Sequence, residues 1–341
     1  MKKIIAVVLA LIMVVLCCAC GAKTTTSSGD AAANDTTKAT NEKLRFVTGG
    51  ESGTYYAFGS VIAQHATNNA GISVTAIVGN GSQANVNDLL DGNAELAFCQ
   101  SDVMAYAYQG AKLFNEKVDC FSTVAALYTE QVQIVTLDEN IKTVADLEGK
   151  KVSVGAAGSG VYFNAVDILT AYGIGDLDDQ GKFTKIEATY QSFGDSADAL
   201  KDGKIDAAFI VAGAPTTAVT DLATTKPVHL VALDDAHIAT LLKDSPYYTE
   251  VTIPKETYNL AEDVKTVGVG AVILARNDVS EDAVYKFTKD IFDNYMNLTE
   301  THAKYAELAL AYATSITDVP YHKGAAKYFA EVGYNLLTAD K

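Results

Sequence analysis

The fold is decided by the stretch Phe46-Val47-Thr48-Gly49-Gly50-Glu51-Ser52-Gly53-Thr54-Tyr55-Tyr56. A short apolar run is followed by glycines and hydroxyl side chains, and then by residues with helical spacing. This order predicts a strand, a tight turn and a helix N-terminus, whose free N–H groups form an anion site. The motif recurs in Ser153-Val154-Gly155-Ala156-Ala157-Gly158-Ser159-Gly160-Val161-Tyr162-Phe163, where the matching residues lie 107 positions further along the chain.

A second pair of matching segments supports an internal repeat. The segment Asp91-Gly92-Asn93-Ala94-Glu95-Leu96-Ala97-Phe98 corresponds to Asp202-Gly203-Lys204-Ile205-Asp206-Ala207-Ala208-Phe209 at a shift of 111 positions. Strand-like and helix-like runs alternate from Lys43 onward, which predicts βα units and a mainly parallel sheet. The predicted strands are 44–48, 72–78, 94–99, 152–155, 186–192 and 205–211, and the predicted helices are 55–68, 85–90, 160–172 and 195–201. We therefore expect two similar α/β lobes.

Two longer segments, 124–135 and 266–276, are predicted to be extended and to cross between the lobes as a hinge. The second leads to a helix that begins at Asp278 or Ser280 and has an apolar face. That face is formed by Val284, Phe287, Ile291 and Leu298. The expected organisation is a signal peptide (1–20), a flexible tether (21–42), a first lobe (43–131 and 273–341) and a second lobe with the hinge strands (132–272).

Composition narrows the classes of function. The chain has 341 residues, which favours about two domains, and it carries a net charge of −16. Such a charge argues against nucleic acid as a partner and against adhesion to an anionic membrane by surface charge. The only arginines are Arg45 and Arg276. Recognition of an anion must therefore rely on backbone N–H groups, hydroxyls, amides or lysine.

The first twenty residues have the pattern of a bacterial lipoprotein leader. Lys2 and Lys3 precede an apolar run that is short for a membrane span, and Cys17-Cys18-Ala19-Cys20-Gly21 follows. Cys20 is the preferred lipidation site, which would anchor the protein to the membrane. Cys18 stays an alternative because Cys17 stands where such boxes carry leucine, and an ordinary cleaved signal is also open. In the mature chain, Cys99 and Cys120 allow either a disulfide or free thiols.

Catalytic and metal-binding patterns are missing from the sequence. The histidines His65, His229, His237, His302 and His322 include no i, i+4 pair suited to a metal. No nucleophile elbow or P-loop occurs, and no Gly-x-Gly-x-x-Gly follows a predicted strand. We therefore expect no catalytic residues, metal or cofactor, although a dispersed catalytic triad would escape such a search.

The chain resembles the TAXI family of solute receptors, which serve tripartite ATP-independent periplasmic (TRAP) transporters. The resemblance runs from about Leu44 to Gly333. It is carried by Thr48-Gly49-Gly50 with Ser52-Gly53 and Tyr55-Tyr56, Gly81-Ser82 with Asn85, Ala94 with Leu96-Ala97 and Gln100-Ser101-Asp102, Gly155 with Gly158-Ser159-Gly160, Asp206-Ala207 with Phe209 and Ala212-Gly213-Ala214-Pro215, and Val319-Pro320-Tyr321-His322-Lys323-Gly324-Ala325.

The resemblance implies a two-lobed type II periplasmic-binding-protein fold and a small ligand that is delivered to TRAP membrane permease subunits. Transport in such systems is driven by an ion gradient. Receptors of this family are associated with glutamate and related small amino or dicarboxylic acids, which here would bind in a cleft between the lobes.

The candidate ligand-binding residues lie in the loops at the carboxyl ends of the predicted strands and on the crossing segment. They are Gly50, Ser52, Gly53, Thr54, Tyr55, Tyr56, Gly81, Ser82, Asn85, Gln100, Ser101, Tyr128, Gln131, Gly158, Ser159, Gly160, Gly213, Ala214, Pro215 and Thr216. The helix start at Ser52-Gly53-Thr54 is expected to hold a ligand carboxylate, helped by a dipole interaction of ~0.3–1 kcal/mol. The alternative is that these hydroxyls serve as ordinary helix caps.

Two acidic residues near these loops bear on the charge of the ligand. Asp102 either accepts a ligand ammonium or caps the helix that follows. Glu51 would repel a carboxylate and suit an ammonium, whereas His322 is expected to be structural. The expected function is thus a lipid-anchored receptor for a small anionic or zwitterionic solute. An enzyme on the same two-lobe fold and a surface immunogenic lipoprotein without a transport role are the alternatives.

Overall fold

The structure, a computed structural model, describes residues 42–339. The predicted signal peptide, the predicted lipidation at Cys20 and all of the predicted tether except Glu42 lie outside the described residues.

Strands and helices alternate along most of the described chain. The strands are β1 (Lys43–Val47), β2 (Ser73–Ile77), β3 (Leu96–Gln100), β4 (Phe121–Thr136), β5 (Lys151–Ser153), β6 (Glu187–Thr189), β7 (Ala207–Ala212), β8 (His229–Leu230), β9 (Thr249–Ile253) and β10 (Val264–Arg276). The α-helices are α1 (Thr54–Asn69), α2 (Ser82–Leu90), α3 (Ser101–Gln109), α4 (Gly160–Ala171), α5 (Phe193–Lys201), α6 (Thr217–Ala223), α7 (Asp235–Asp244), α8 (Glu281–Asn294), α9 (Leu310–Ala313) and α10 (Lys323–Glu331). Short 3₁₀ helices are formed by Val144–Leu147, Lys255–Thr257, Tyr295–Asn297 and Ala303–Glu307.

The strand order shows the predicted repeat. The sheet runs β2-β1-β3-β10-β4-β7-β5-β6, with β9 beside β10 and β8 beside β4. The groups β2-β1-β3 and β7-β5-β6 are each internally parallel, whereas β10 and β4 pair antiparallel with each other and with the groups beside them. We call the part built on β1–β3 the first lobe and the part built on β5–β7 the second lobe. The predicted two-lobed α/β fold with a hinge of two crossing strands is confirmed.

The crossing strands belong to the cores of both lobes. On β4, Tyr128 packs in a first-lobe cluster and Val132 in a second-lobe cluster. On β10 the corresponding change occurs between Val269 and Ala271. Phe46 of β1 meets Phe287 of α8 in the first-lobe cluster, with their ring centroids 5.8 Å apart. The lobe boundaries predicted from the sequence, between 131 and 132 and between 272 and 273, remain a proposal.

Several element boundaries differ from the sequence predictions. Helix α2 begins at Ser82, three residues before the predicted start, and α5 begins at Phe193, two residues early. Ser192 accounts for the second difference because its side chain caps α5 by accepting from the Asp195 N–H. Leu298 lies beyond the end of α8, which is followed by a 3₁₀ turn. These shifts reflect capping groups that hydrophobic spacing does not reveal.

Three smaller alternatives left open by the sequence are resolved. Ser280 is the N-cap of α8 and its side chain accepts from the Ala283 N–H. Cys99 and Cys120 are both free thiols, and Cys99 is buried. The ring of His322 caps α10 by accepting from the Gly324 N–H.

Candidate functional site

A cavity of about 480 Å³ lies between the two lobes. It is lined by Gly49, Gly50, Glu51, Gly53, Thr54, Tyr55, Val78, Gly79, Asn80, Gly81, Ser82, Gln100, Glu130, Ala156, Ser159, Gly160, Val161, Gln191, Ser192, Phe193, Val211 and Ala212. The volume lies in the range of small-molecule sites, which is about 300–1,000 Å³.

Four loops at the carboxyl ends of parallel strands form most of this lining. The first lobe supplies the loop from β1 to α1 and the loop from β2 to α2. The second lobe supplies the loop from β5 to α4 and the loop from β6 to α5. Ligands of open α/β sheets bind at this end of the strands. The repeat therefore brings two equivalent halves of one site face to face.

The four helices that follow these loops direct their N-termini toward the cavity. The N-caps of α1, α2 and α4 are Gly53, Gly81 and Ser159, and none of them makes a side-chain capping bond. Only Ser192, at α5, caps its own helix among these four. Each helix start carries unpaired N–H groups and the positive end of the helix dipole. The cavity is thus suited to an anionic group.

Ser159 lines the cavity with a hydroxyl group that makes no hydrogen bond to the described residues. Its residue is 6% exposed, and its Oγ is buried without a hydrogen-bond partner among the described residues. A buried hydroxyl that lacks a partner costs free energy, of the order of 1–3 kcal/mol. A ligand oxygen at this position would remove that cost.

No lysine, arginine or histidine side chain belongs to the cavity lining within residues 42–339. The charged side chains of the lining are instead two glutamates, Glu51 and Glu130. Glu51 is exposed, whereas Glu130 is 2% exposed. Binding of an anion here would depend on N–H groups and hydroxyls, as the scarcity of arginine in the sequence predicts.

Glu130 lies on β4, where this crossing strand passes the cavity. Its Oε2 accepts a hydrogen bond of 2.7 Å from the hydroxyl of Tyr55, whose ring stacks on Phe98 with a centroid distance of 4.5 Å. Burial raises the pKa of the Glu130 carboxyl well above its usual range, and the bond from Tyr55 opposes this by lowering it. Burial therefore favours the neutral form of Glu130.

A buried polar network joins the lobes beside the cavity. Gln100 at the end of β3 donates from Nε2 to Oδ1 of Asn164 in α4, at 2.6 Å. Asn164 donates in turn from Nδ2 to Asp102 Oδ2 and to the Tyr248 hydroxyl, at 2.9 Å each. The backbone N–H of Gln100 donates to Ser82 Oγ at 3.0 Å. The same residue thus lines the cavity and contacts the opposite lobe.

Close approach between the lobes depends on glycine at two positions. A Cβ on Gly160 would lie 1.5 Å from Gln100 Oε1 and 2.9 Å from Ser82 Oγ. Gly81 has φ of +101°, and a Cβ there would lie 3.0 Å from the Cα of Ser159. Larger residues at these positions would hold the lobes apart.

The structure brings nine of the twenty sequence-predicted residues into the lining. They are Gly50, Gly53, Thr54, Tyr55, Gly81, Ser82, Gln100, Ser159 and Gly160. The others, which are not among the lining residues, are Ser52, Tyr56, Asn85, Ser101, Tyr128, Gln131, Gly158, Gly213, Ala214, Pro215 and Thr216.

Several of these other residues hold the scaffold. Asn85 donates from Nδ2 to the backbone oxygens of Thr48 and Phe98, at 2.5 and 2.8 Å. Ser101 Oγ accepts from the Gly270 N–H at 2.9 Å. The ring of Tyr128 is buried under Lys304, whose Nζ lies 5.3 Å from the ring centroid.

Others of this group lie where the lobes meet. The Ser52 oxygen accepts from the Ala218 N–H at 3.2 Å, and the Gly158 oxygen accepts from the Ala84 N–H at 2.9 Å. The Gly213 oxygen accepts from Thr54 Oγ1 at 2.8 Å. The nearby Thr216 is buried in the second lobe.

The sequence analysis missed one complete wall of the cavity, the segment Gln191-Ser192-Phe193. A signal was available, because Ser192 lies 110 positions after Ser82, between the two repeat offsets of 107 and 111. It also missed Glu130, which is the charged residue of β4 and has no motif to mark it. Its role depends on burial, which the sequence does not show.

The described part of the chain has neither a metal-binding cluster nor a membrane-spanning helix. No group of three or more histidine, cysteine, aspartate or glutamate side chains is placed to hold a metal among residues 42–339. None of the helices in this region has the length and apolar character needed to span a membrane.

The chain belongs to the NMT1-like family, whose family model matches residues 46–333. Solved structures with similar folds include the periplasmic aliphatic sulphonate binding protein of Escherichia coli (17% identity, covering 85% of this chain and 90% of that chain, TM-score 0.44). The ligand-binding core of GluR0 from Nostoc punctiforme, solved with L-glutamate, is similar at 14% identity, 78% and 98% coverage and a TM-score of 0.47.

A third similar structure is an amino acid ABC transporter substrate-binding protein from Streptococcus pneumoniae, bound to L-arginine. Its identity is 13%, its coverage is 78% of this chain and 92% of that chain, and its TM-score is 0.45. The strand order of the present chain is that of the two-lobed α/β fold expected from the sequence, in which two groups of parallel strands are joined by β4 and β10.

The buried Asp102 makes stability depend on pH. Burial raises the pKa of its carboxyl from 3.8 to about 7, against hydrogen bonds from Val103 and Asn164. The folded protein therefore binds a proton that the unfolded chain has lost. Its free energy of unfolding should fall by about 1.4 kcal/mol per pH unit between about pH 4 and about pH 7 from this group alone.

We expect Asp102→Asn to remove this contribution. Between pH 5 and pH 7.5 the stability of the variant relative to the wild type should rise by about 2–3 kcal/mol, measured by urea unfolding without ligand. Asp282→Asn, an exposed change in α8, serves as the control and should leave the pH profile unaltered. Parallel profiles for wild type and Asp102→Asn would contradict the assignment.

Proposed function

We propose that this member of the NMT1-like family is the extracytoplasmic solute-binding receptor of a TRAP-type secondary transporter of the TAXI branch. It binds a small anionic or zwitterionic solute, a glutamate-like amino acid or a dicarboxylate, and delivers it to membrane permease subunits. The observation that carries this proposal is the cavity between the lobes. Four helix N-termini face this cavity, and its described lining has no cationic side chain.

The groups that would hold the solute carboxylate are the helix starts at Gly53-Thr54, Gly81-Ser82 and Ser159-Gly160. Their N–H groups are free of side-chain caps, and the buried Ser159 Oγ is free to donate. An anion at a helix N-terminus gains both hydrogen bonds and the dipole interaction. Tyr55 and Gln100 would form the polar walls beside it.

The lobes contact each other directly in this structure, which supports a binding mechanism by hinge closure. Contacts run from Ala84 N–H to the Gly158 oxygen and from Thr54 Oγ1 to the Gly213 oxygen. Phe163 of α4 adds an apolar contact, with its ring centroid 6.0 Å from that of Tyr106 in α3. A solute touched by both lobes favours this closed arrangement over an open one.

Direct binding measurements test the proposal. Calorimetry and thermal shift against a panel of amino acids and dicarboxylates should identify one clear binder. Ser159→Ala should weaken its binding by about 10–100-fold, the loss expected for a hydrogen bond to a charged group. Ser60→Ala, a change inside α1 away from the cavity, is the control.

Two results would count against the receptor. If no small acid or amino acid shifts the melting temperature, the proposed ligand class fails. If a bound compound is converted to product, the chain is an enzyme on the same two-lobe fold.

Closure can be tested separately from solute chemistry with Gly160→Ala. Alanine suits the first turn of α4, so the variant should fold. Its Cβ would collide with Gln100 Oε1, which is held in place by Asn164. We expect at least a tenfold loss of affinity and no decrease in the radius of gyration on adding ligand, measured by small-angle X-ray scattering.

A matched second variant makes this closure test specific. Adding Gln100→Ala to Gly160→Ala removes the atom that the new methyl group meets, and ligand-induced compaction should return. Unchanged compaction in the single variant would contradict closure at this contact.

The membrane anchor is a further part of the proposal. We propose that Cys20 carries the lipid and that the segment up to Glu42 tethers the receptor. Cys20→Ala should abolish incorporation of labelled fatty acid and release the protein from the membrane fraction. Labelling that persists in Cys20→Ala and disappears in Cys18→Ala would move the anchor to Cys18.

A further inference from the structure

Glu130 is a buried acidic group that the proposed carboxylate site does not use. It belongs to the cavity lining and is 2% exposed. Oε2 accepts from the Tyr55 hydroxyl, and Oε1 makes no hydrogen bond within the described residues. A carboxyl oxygen with spare capacity, on a residue that lines a cavity between two lobes, is placed to accept a hydrogen bond from a ligand.

The titratable groups around Glu130 come from several packed elements. They are Tyr55 on α1, Cys99 on β3, Asp102 on α3, Tyr128 on β4, Lys304 in the 3₁₀ helix Ala303–Glu307 and Tyr312 on α9. The one cation of this set, Lys304, is directed elsewhere. Its Nζ donates to the Ala214 oxygen at 3.1 Å and pairs with Glu307.

A ligand with two carboxylates fits this arrangement poorly. The helix N-termini can accommodate one carboxylate, but a second would meet Glu51 and Glu130 with no cationic side chain in the described lining. Like charges at short distance repel, and the repulsion is strong in a desolvated cavity. An ammonium group would instead find an acceptor in Glu130.

Resting on the proposed receptor function, we propose that Glu130 is the counter-ion of a ligand ammonium, so that the solute is a zwitterionic amino acid and not a dicarboxylate. The ligand carboxylate lies at the helix N-termini, and its ammonium donates to Oε1 of Glu130. The Tyr55 hydroxyl, which donates to Oε2, stabilises the ionised carboxylate in the complex.

This assignment includes a defined proton step. Before binding, burial raises the pKa of the Glu130 carboxyl and so favours its protonated form. The amino acid arrives with its ammonium already charged, as it is in solution. When the ammonium contacts Glu130, the carboxyl loses its proton to solvent and the ligand keeps its own. Binding of one amino acid therefore releases up to one proton near neutral pH.

The experiment is calorimetry with the full-length protein against matched pairs of compounds, L-glutamine with its deaminated analogue and L-norvaline with pentanoate. Each titration is made in two buffers that differ in ionisation enthalpy. We expect the amino acid of a pair to bind at least tenfold more tightly, with release of up to one proton. Glu130→Gln should weaken the amino acid at least tenfold and abolish the release.

The test includes a control variant and a second measurement for the case that Glu130→Gln does not fold. Asp290→Asn removes a buried carboxylate that pairs with His65 outside the cavity, and it should leave affinity and proton release unchanged. If Glu130→Gln fails to fold, the same titrations are made with Asp102→Asn, which removes the other buried carboxyl beside the cavity. Proton release that persists in this variant supports Glu130 as its source, and release that disappears overturns the assignment.

The outcomes separate this inference from the receptor function. Tighter binding of the deaminated analogues, or full amino acid affinity in Glu130→Gln, would overturn the role of Glu130 and leave the receptor standing. If neither class of compound binds, the receptor proposal fails and the role of Glu130 fails with it.

Discussion

The pairing of β4 with β10 is the interaction on which the rest of the structure depends. These two strands form an antiparallel ladder from Gly268 opposite Gln131 to Arg276 opposite Phe121. Each strand also pairs with a neighbour from a lobe, β10 with β3 and β4 with β7. Because most of their residues are buried, the ladder cannot open without exposing backbone polar groups. Relative motion of the lobes is therefore limited to bending of this pair.

The β4–β10 pair also fixes the positions of the helix N-termini and of Glu130 around the cavity. The helix N-termini come from loops at the ends of short parallel strands, and both lobes direct these ends toward the crossing strands. Glu130 is the acidic residue of β4 that lines the cavity. Its side chain is held in a desolvated place by a backbone that serves both cores, and this burial raises the pKa of its carboxyl. A glutamate on a surface loop would have no such shift.

The sequence predicts the architecture well because the architecture repeats. Two motifs at nearly equal offsets are enough to predict two α/β lobes, and the loops around Gly53, Gly81 and Ser159 follow from the rule for strand ends. The features that the sequence did not predict arise from contacts between residues that are far apart in the chain. Glu130 has no motif, and its importance arises from burial against Tyr55. Asn164 lies in the middle of α4, and only the packing of α4 against α3 reveals its bonds to Gln100 and Asp102.

The structure also shifts the expected position of the ligand carboxylate from Ser52 toward Ser159. Ser52 matched Ser159 in the repeat, yet Ser159 faces the cavity, whereas Ser52 lies beside Gly194 and bonds through its backbone oxygen to Ala218. The two lobes are similar in fold, but the chain packs differently against each helix start. Matching positions in the two repeats therefore predict a similar backbone conformation, but they do not predict that the side chains have the same role.

The contacts between the lobes explain why a ligand can control closure. Several of the bonds that join them use backbone groups, as between Ala84 and Gly158 and between Ser52 and Ala218. In an open form water would satisfy the same groups, so each such bond contributes only about 0.5–1.5 kcal/mol net. Ordering the two lobes costs conformational entropy, which opposes this gain. A solute held by the helix starts of both lobes then supplies the difference, because it makes its full set of bonds only when the lobes meet.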